Sequence, residues 1–117
     1  MKRQSSLGKK GESLAVEYLK GRGYTIVETN FRFERAEIDV IAKEKNVLVF
    51  VEVKTRHKNS LGQPEDSVTL RKRDQIMKAA EGFLFKRNLP ETECRFDVIA
   101  IKHSNGETEI SHFKDVF

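Results

Sequence analysis

Carboxylates stand on two apolar segments of the chain that have the composition of buried strands. Glu37 and Asp39 lie in EIDVIA, and Glu52 lies in VLVFVEVK, followed two positions later by Lys54. Like charges that meet in a partly buried place repel one another, so each carboxylate needs a proton or a cation. Oxygen-only ligands suit Mg²⁺ or Mn²⁺, and an ammonium on the same face stabilises a phosphate as charge develops. These residue types therefore predict metal-dependent phosphodiester chemistry.

The two segments are separated by KEKN, which predicts a short turn and an antiparallel hairpin. Side chains alternate along a strand, so Glu52 and Lys54 share one face of the second strand while its valines share the other. A turn with an even number of residues keeps the carboxylates of the first strand away from the valines. In the simplest such register, Asp39 lies opposite Phe50 and diagonal to Glu52. The residues expected on the valine side are Ile38, Val40 and Ala42.

Two helices and five strands are predicted to position these residues. The first helix is expected over residues 6–20 with Gly21 and Gly23 ending it, and the second follows a Thr69 cap and stops at residues 88–90. Strands are expected at residues 25–33 with a kink near Asn30, then at 36–42, 46–55, 95–102 and 107–113, with a loop at 56–66. The third strand, second helix and fourth strand form a crossover that joins parallel strands. The predicted fold class is α/β (α+β), a single domain over residues 1–117 with a mixed sheet flanked by helices in αβββαβ order.

Charged residues outside the hairpin add to the predicted site. Glu12 shares a helical side with Ala15 and Leu19, which puts a carboxylate at the edge of an apolar stripe, where it needs a partner. Cations in the first turn of a helix oppose its dipole by roughly 0.3 to 1 kcal/mol each unless an anion lies nearby. The candidate contacts to nucleic-acid phosphates are Lys9, Lys10, Arg56, Lys58, Arg71, Lys72 and Arg73, with a solvated basic face as the alternative.

Composition limits the class of protein. The chain has 117 residues, enough for one core, and its 38% hydrophobic and 34% charged residues exclude a disordered tail. No apolar run approaches the roughly 20 residues that span a bilayer, so no membrane partner is expected. The net charge of +4 favours an anionic partner. One cysteine, and N-terminal cations without the apolar stretch of an export signal, predict a cytoplasmic location.

Two levels of resemblance extend this interpretation. EIDVI followed by FVEVKTR resembles the PD-(D/E)xK nucleases of the restriction-endonuclease-like superfamily, in which an Asp on one strand and a Glu-x-Lys on the next hold a metal. GESLAVEYL, GYTIVETNFR, EIDVIA, VFVEVKTR and RFDVIAI, in this order, resemble the YraN-like family of uncharacterised bacterial proteins (uncharacterised protein family 0102). That family is similar in fold to archaeal Holliday-junction resolvases, where a Glu from the first helix joins the site. Two positions depart from these patterns. Ala36 stands where the family usually has Gly, and Ile38 stands where the superfamily has Pro.

The resemblance implies a restriction-endonuclease-like αβββαβ core and a role for each acidic residue. Asp39, Glu52 and Glu12 are implied as metal ligands, and Lys54 as the group that orients water or stabilises the transition state. Apart from the resemblance, Glu37 completes the candidate catalytic set, and its expected place is outside the metal shell, where it orients Lys54 or a loop. By analogy with the resolvases, the expected substrate is DNA, including branched DNA, and a homodimer is expected.

Competing interpretations stay open at the level of sequence. The protein could be a non-catalytic nucleic-acid-binding module of the same fold, or a scaffold that acts through a protein partner. Glu52 and Lys54 could be an ordinary ion pair on a solvated strand end. Asp97 is expected to form a structural salt bridge with Arg95 rather than to act in catalysis. The residues expected to lie in the core rather than to stack on bases are Phe31, Phe33, Phe83 and Phe85.

Overall fold

All the strands that the structure describes belong to one five-stranded sheet. The computed structural model describes residues 6–57, 70–89 and 91–117, without the side chains of residues 6–8, 57, 70 and 71. The elements are α1 (Ser6–Gly21), β1 (Thr25–Phe33), β2 (Ala36–Glu44), β3 (Val47–His57), α2 (Leu70–Lys86), β4 (Cys94–Ser104) and β5 (Glu107–Phe113). The strands follow the order β1-β2-β3-β4-β5, and each neighbouring pair is antiparallel except β3 and β4, which are parallel. The predicted α+β class and mixed sheet are confirmed.

Each face of the sheet is covered by one helix, which is why the central strands are apolar on both sides. On one face, Ala15 and Leu19 of α1 pack in a cluster with Val49 and Val51 of β3. On the other face, α2 packs in a cluster that contains Phe50 of β3. Burying a large apolar side chain contributes about 1.5 to 3 kcal/mol, so the two clusters fix both helices on the sheet. Neither helix in the described ranges is long and apolar enough to cross a membrane.

Each helix is followed, two residues beyond its end, by a residue with a left-handed backbone, in agreement with the predicted C-termini. Gly23 has a φ of 90°, and the Tyr24 amide donates to the Leu19 carbonyl at 3.0 Å. Asn88 has a φ of 57°, and the Leu89 amide donates to the Leu84 carbonyl at 2.9 Å. These bonds satisfy carbonyls that the last turn leaves without helical partners. The predicted Thr69 cap and most of the predicted loop lie outside the described residues.

The hairpin register differs from the predicted one. The turn contains two residues rather than four, because the ladder continues to a Glu44–Val47 pair. Ile41 therefore lies opposite Phe50, and the last ladder pair is Val40 with Val51. The even parity of the turn is as predicted, but Asp39 is not opposite Phe50. The shorter turn extends the ladder and places Asp39 just beyond its last pair.

Alternation along β2 is interrupted at the candidate site. Val40 and Ala42 belong to the cluster under α1, as predicted, but Ile38 belongs to the cluster under α2. The predicted placement of Ile38 beside the valines is therefore wrong. On the neighbouring strand, Asn30 has a φ of 54° between the partners of Val40 and Ile38, which confirms the predicted kink. At this level β2 buries apolar residues on both sides, with Asp39 between Ile38 and Val40.

One of the four predicted core phenylalanines lies outside the core. Phe31 and Phe83 are buried with their rings edge to face at 5.3 Å between centroids, and Phe33 packs against the same cluster. Phe85 is 85% exposed, so its predicted burial is wrong. It lies two positions after the buried Phe83, and in a helix that spacing points to a different side.

Gly82 marks the closest approach of α2 to β1. A methyl group at this position would lie 2.5 Å from two ring atoms of Phe33, with the rest of the ring packed in the core. We expect Gly82→Ala to reduce the free energy of unfolding by roughly 1 kcal/mol or more, because overpacking outweighs the gain in helix propensity. Gly21→Ala is the matched control, since no atom lies within 4 Å of an added methyl group there. Urea unfolding should show opposite signs for the two variants, and a stabilised Gly82→Ala protein would contradict the close packing.

Candidate active site

Three carboxylates from two elements meet beside the sheet. One oxygen each of Glu12, Glu37 and Asp39 lies within 4.8 Å of the others, and all three residues are half-buried. Glu12 comes from α1, whereas Glu37 and Asp39 come from alternate positions of β2. The sequence predicts a meeting of helix and hairpin carboxylates that also includes Glu52, and Glu52 is not one of these three.

Close contact between α1 and the sheet brings Glu12 into this group. Gly11 is buried directly before Glu12, and a methyl group on it would overlap the Thr55 hydroxyl of β3. The same methyl group would touch Ile101 of β4 at 3.7 Å. Because this turn of α1 rests on β3 without a side chain between them, the next residue reaches the hairpin carboxylates. A larger residue at position 11 would push that turn, and Glu12 with it, away from the site.

Asp39 is held where the hairpin ladder ends. Its Oδ2 accepts a hydrogen bond from the Val53 amide at 2.7 Å, in place of a backbone carbonyl of β2. Burial, together with the charges of Glu52, Glu12 and Glu37, raises the pKa of the Asp39 carboxyl to about 7. The hydrogen bond from Val53 acts in the opposite direction and lowers that pKa. Near neutral pH, the carboxyl is therefore poised between its protonated and its charged form.

Two lysines neutralise Glu52. Its Oε1 lies 2.9 Å from the Lys54 ammonium, and both side chains are 13% exposed. The Lys72 ammonium, from the first turn of α2, contacts the same oxygen. Burial and the neighbouring Lys72 lower the pKa of Lys54, whereas the bond to Glu52 raises the pKa of Lys72 despite its burial. Glu52 and Lys54 are largely buried, so they are not an ordinary ion pair on a solvated strand end.

The structure thus places the predicted acidic residues in two adjoining groups. Glu37 lies within the carboxylate trio, although its expected place is outside the metal shell. Glu52 is bonded to lysines, and its charge still acts on Asp39. The ligand set of Asp39, Glu52 and Glu12 stays a prediction.

The predicted basic contacts lie around the acidic groups in different environments. Lys9 and Lys10 are exposed on α1, and Lys9 lines an open groove of about 400 Å³ with Glu12 and Asn30. Arg56 is half-buried and donates to the Thr55 carbonyl at 3.3 Å. The guanidinium of Arg73 lies 5.1 Å from the ring centroid of Phe117. Lys58 lies outside the described residues, and Arg71 is described only as part of α2.

A second buried aspartate belongs to a network that is satisfied within the protein. Asp97 is 2% exposed and receives two hydrogen bonds from Arg95, at 2.9 and 3.0 Å, which confirms the predicted salt bridge. His112 Nε2 lies 2.7 Å from it, and the Asp115 amide donates at 3.0 Å. Burial raises the pKa of Asp97, but these hydrogen bonds outweigh burial and lower it overall. Sequence reasoning missed His112, whose place is set by pairing of β5 with β4.

The contact of Lys72 with Glu52 was also missed. In the structure the ammonium of Lys72 contacts the Glu52 carboxylate, and its contact with a phosphate stays a prediction. The sequence feature that could have predicted the contact between Lys72 and Glu52 is the crossover from β3 through α2 to β4. A helix that follows β3 and returns along the sheet starts near the C-terminal end of β3, where Glu52 and Lys54 lie.

Fold and site together define a mixed α+β domain with a carboxylate and lysine cluster beside its central hairpin. The family model described as "Uncharacterised protein family UPF0102" matches residues 11–101, and the chain belongs to that family. A UPF0102 protein of Geotalea uraniireducens is 50% identical over 113 residues, which cover 96% of this chain and 89% of that protein. One of Flavobacterium psychrophilum is 44% identical over 117 residues, covering 100% of this chain and 98% of its own. The predicted membership is confirmed.

The raised pKa of Asp39 predicts a pH-dependent cost to the metal-free fold. Between about pH 4 and 7, the folded state holds a proton that the unfolded state has released, so stability falls as pH rises. Above pH 7, the resulting loss in the free energy of unfolding is on the order of 4 kcal/mol at most. Asp39→Asn keeps an oxygen that can accept from Val53 but carries no charge. We expect it to be more stable than wild type at alkaline pH and similar at acidic pH.

Urea unfolding with EDTA on both sides of this pH window measures the difference. Asp74→Asn, which removes an exposed carboxylate from α2, should follow wild type at both values. A structural ion pair between Asp39 and Lys54 predicts the opposite result, since losing one buried partner costs about 3 to 5 kcal/mol. A variant weakened to that extent at alkaline pH would contradict the interpretation of Asp39 as a repelled carboxylate.

Proposed function

We propose that this protein is a metal-dependent endonuclease that hydrolyses DNA phosphodiester bonds. The observation that carries the proposal is the meeting of Glu12, Glu37 and Asp39 beside the Glu52–Lys54 pair. The resemblance of EIDVI and FVEVKTR to the PD-(D/E)xK motif supports it. So does the element order α-β-β-β-α-β, which is compatible with a restriction-endonuclease-like core. By the same resemblance, branched DNA such as a four-way junction is the favoured substrate.

The donor set fits a hard divalent cation. Carboxylate oxygens from three residues approach within 4.8 Å of one another, and oxygen ligands are those that Mg²⁺ and Mn²⁺ prefer. Asp39 and Glu12 are the proposed ligands, with Glu52 as a third and Glu37 beside them. A bound divalent cation supplies positive charge that polarises a phosphoryl oxygen and lowers the pKa of a water molecule.

The residues of the chain hold and orient the reacting groups. Asp39 gives up its proton when a cation binds, because positive charge nearby favours the carboxylate form. Lys54, fixed by its bond to Glu52, is proposed to orient the attacking water or to neutralise charge on the phosphate. Lys9, Lys10, Arg56 and Arg73 are proposed to contact backbone phosphates, which positions DNA independently of its sequence.

Binding of metal and cleavage of DNA should depend on Asp39 together. Wild type should be stabilised by Mn²⁺ by mass action, by about 2.7 kcal/mol at a concentration of 100 times Kd. It should cleave DNA with Mg²⁺ or Mn²⁺ but not with EDTA. Asp39→Asn should lose most of the Mn²⁺ shift and the cleavage, whereas Lys54→Met should lose cleavage and keep most of the shift. Asp74→Asn is the control that should behave as wild type.

The assay compares single-stranded, duplex, flap and four-way DNA, alongside melting curves with and without Mn²⁺. DNA binding without cleavage of any substrate would favour a non-catalytic binding module of the same fold. No affinity for any nucleic acid would favour a scaffold that acts through a protein. A wild type with neither metal shift nor cleavage would remove the nuclease proposal.

Phosphate contacts from α1 should appear in the salt dependence of DNA binding. Each phosphate contact adds about 0.9 to the slope of log affinity against log salt concentration. We expect Lys10→Ala to weaken binding to all duplex sequences alike and to reduce that slope by roughly one unit. Lys43→Ala, an exposed lysine on β2, is the matched control. Fluorescence anisotropy over a salt series measures both, and an unchanged slope for Lys10→Ala would assign Lys10 to solvent.

A further inference from the structure

Glu52 is contacted by two ammonium groups through a single oxygen. Lys54 approaches Oε1 from the same strand, and Lys72 approaches it from α2. The two lysines differ in exposure, since the Lys54 side chain is 13% exposed and the Lys72 side chain is 36% exposed. Lys72 therefore reaches the site from the surface, while Lys54 forms part of its wall. Of the two cations, Lys72 is the one that can leave without opening the core.

Lys72 is also coupled to the adjoining carboxylates. Two lysines share the single charge of Glu52. The charge of Asp39, which lies together with Glu12 and Glu37, also acts on Lys72. Lys72 is thus an internal counter-cation at the place proposed for a divalent cation. An ammonium and a metal ion repel each other, so the two compete for Glu52 and its neighbours.

We propose that Lys72 is a positioning residue, displaced from Glu52 when the divalent cation binds and thereby made available to a phosphate of the nucleic acid. This inference rests on the proposed function and adds an order of events to it. Lys72 lies in the same helical turn as Arg71 and Arg73, two further candidate phosphate contacts. Because coupling between two ligands is reciprocal, a phosphate that draws Lys72 away also raises the affinity for metal. In the absence of both ligands, Lys72 keeps Glu52 neutralised.

Calorimetric titration of the nucleic-acid-free protein with Mn²⁺ tests the competition. Lys72→Met removes the charge and keeps an apolar stem, so it should bind Mn²⁺ more tightly than wild type, by roughly five-fold or more. Lys72→Arg restores a cation and should return the affinity toward that of wild type. Lys78→Met, an exposed lysine of the same helix, is the matched control and should leave the affinity unchanged. Lys72→Gln is a second neutral variant, and thermal melts establish that each protein is folded.

The direction of the change separates this role from a structural one. Loss of a merely structural contact would loosen α2 and weaken Mn²⁺ binding, whereas loss of a competitor strengthens it. Equal or weaker binding by both neutral variants, with measurable binding by wild type, overturns the inference and leaves the proposed metal site in place. Absence of Mn²⁺ binding in wild type and in every variant removes the proposed metal site, and this inference with it.

Discussion

The hydrogen bond from the Val53 amide to the Asp39 carboxylate determines the arrangement of the site. It joins β2 and β3 just beyond their last ladder pair, Val40 with Val51, so a side chain continues the hairpin where the backbone pairing stops. The bond thereby holds a carboxylate in a half-buried position, which simple alternation of strand residues does not predict. The amide satisfies one oxygen of Asp39. Burial and the neighbouring carboxylates still raise the pKa of the Asp39 carboxyl.

The elements around this bond supply charges of both signs from separate parts of the chain. α1 contributes Glu12 because Gly11 lets the helix touch β3, and β2 contributes Glu37. β3 contributes Glu52 and Lys54 on its own alternating face, and the first turn of α2 contributes Lys72. The two-faced core makes this possible, since each helix must lie flat on the sheet to bury its apolar stripe. Packing therefore fixes the position of each helix on the sheet. As a consequence, Glu12 of α1 and Lys72 of α2 lie close to the charged residues of the hairpin.

The sequence predicted the parts of this arrangement that depend on local periodicity. Strand identity, helix ends and the parallel β3–β4 pair follow from patterns of apolar residues and from turn residues, and all of them are present. The hairpin register was wrong because KEKN is compatible with a two-residue and with a four-residue turn of the same parity. Ile38 was misplaced because strict alternation assumes a regular pair of strands, and the neighbouring β1 has a left-handed residue, Asn30, at this level. The Lys72 contact was missed because it depends on how a helix packs, which spacing along the chain does not encode.

Two aspartates on this sheet show why one is assigned to chemistry and the other to structure. Asp97 is the more buried, yet Arg95, His112 and a backbone amide meet its charge, and its pKa is lowered. Asp39 lies among carboxylates, and its pKa is raised to about 7. Burial alone acts in the same direction on both carboxyl groups, so the opposite outcomes come from their neighbours. A carboxylate whose partners are all supplied by the fold stabilises that fold without needing a ligand. For Asp39 the fold supplies one backbone amide and several carboxylates, so near neutral pH its charge opposes the fold rather than stabilising it.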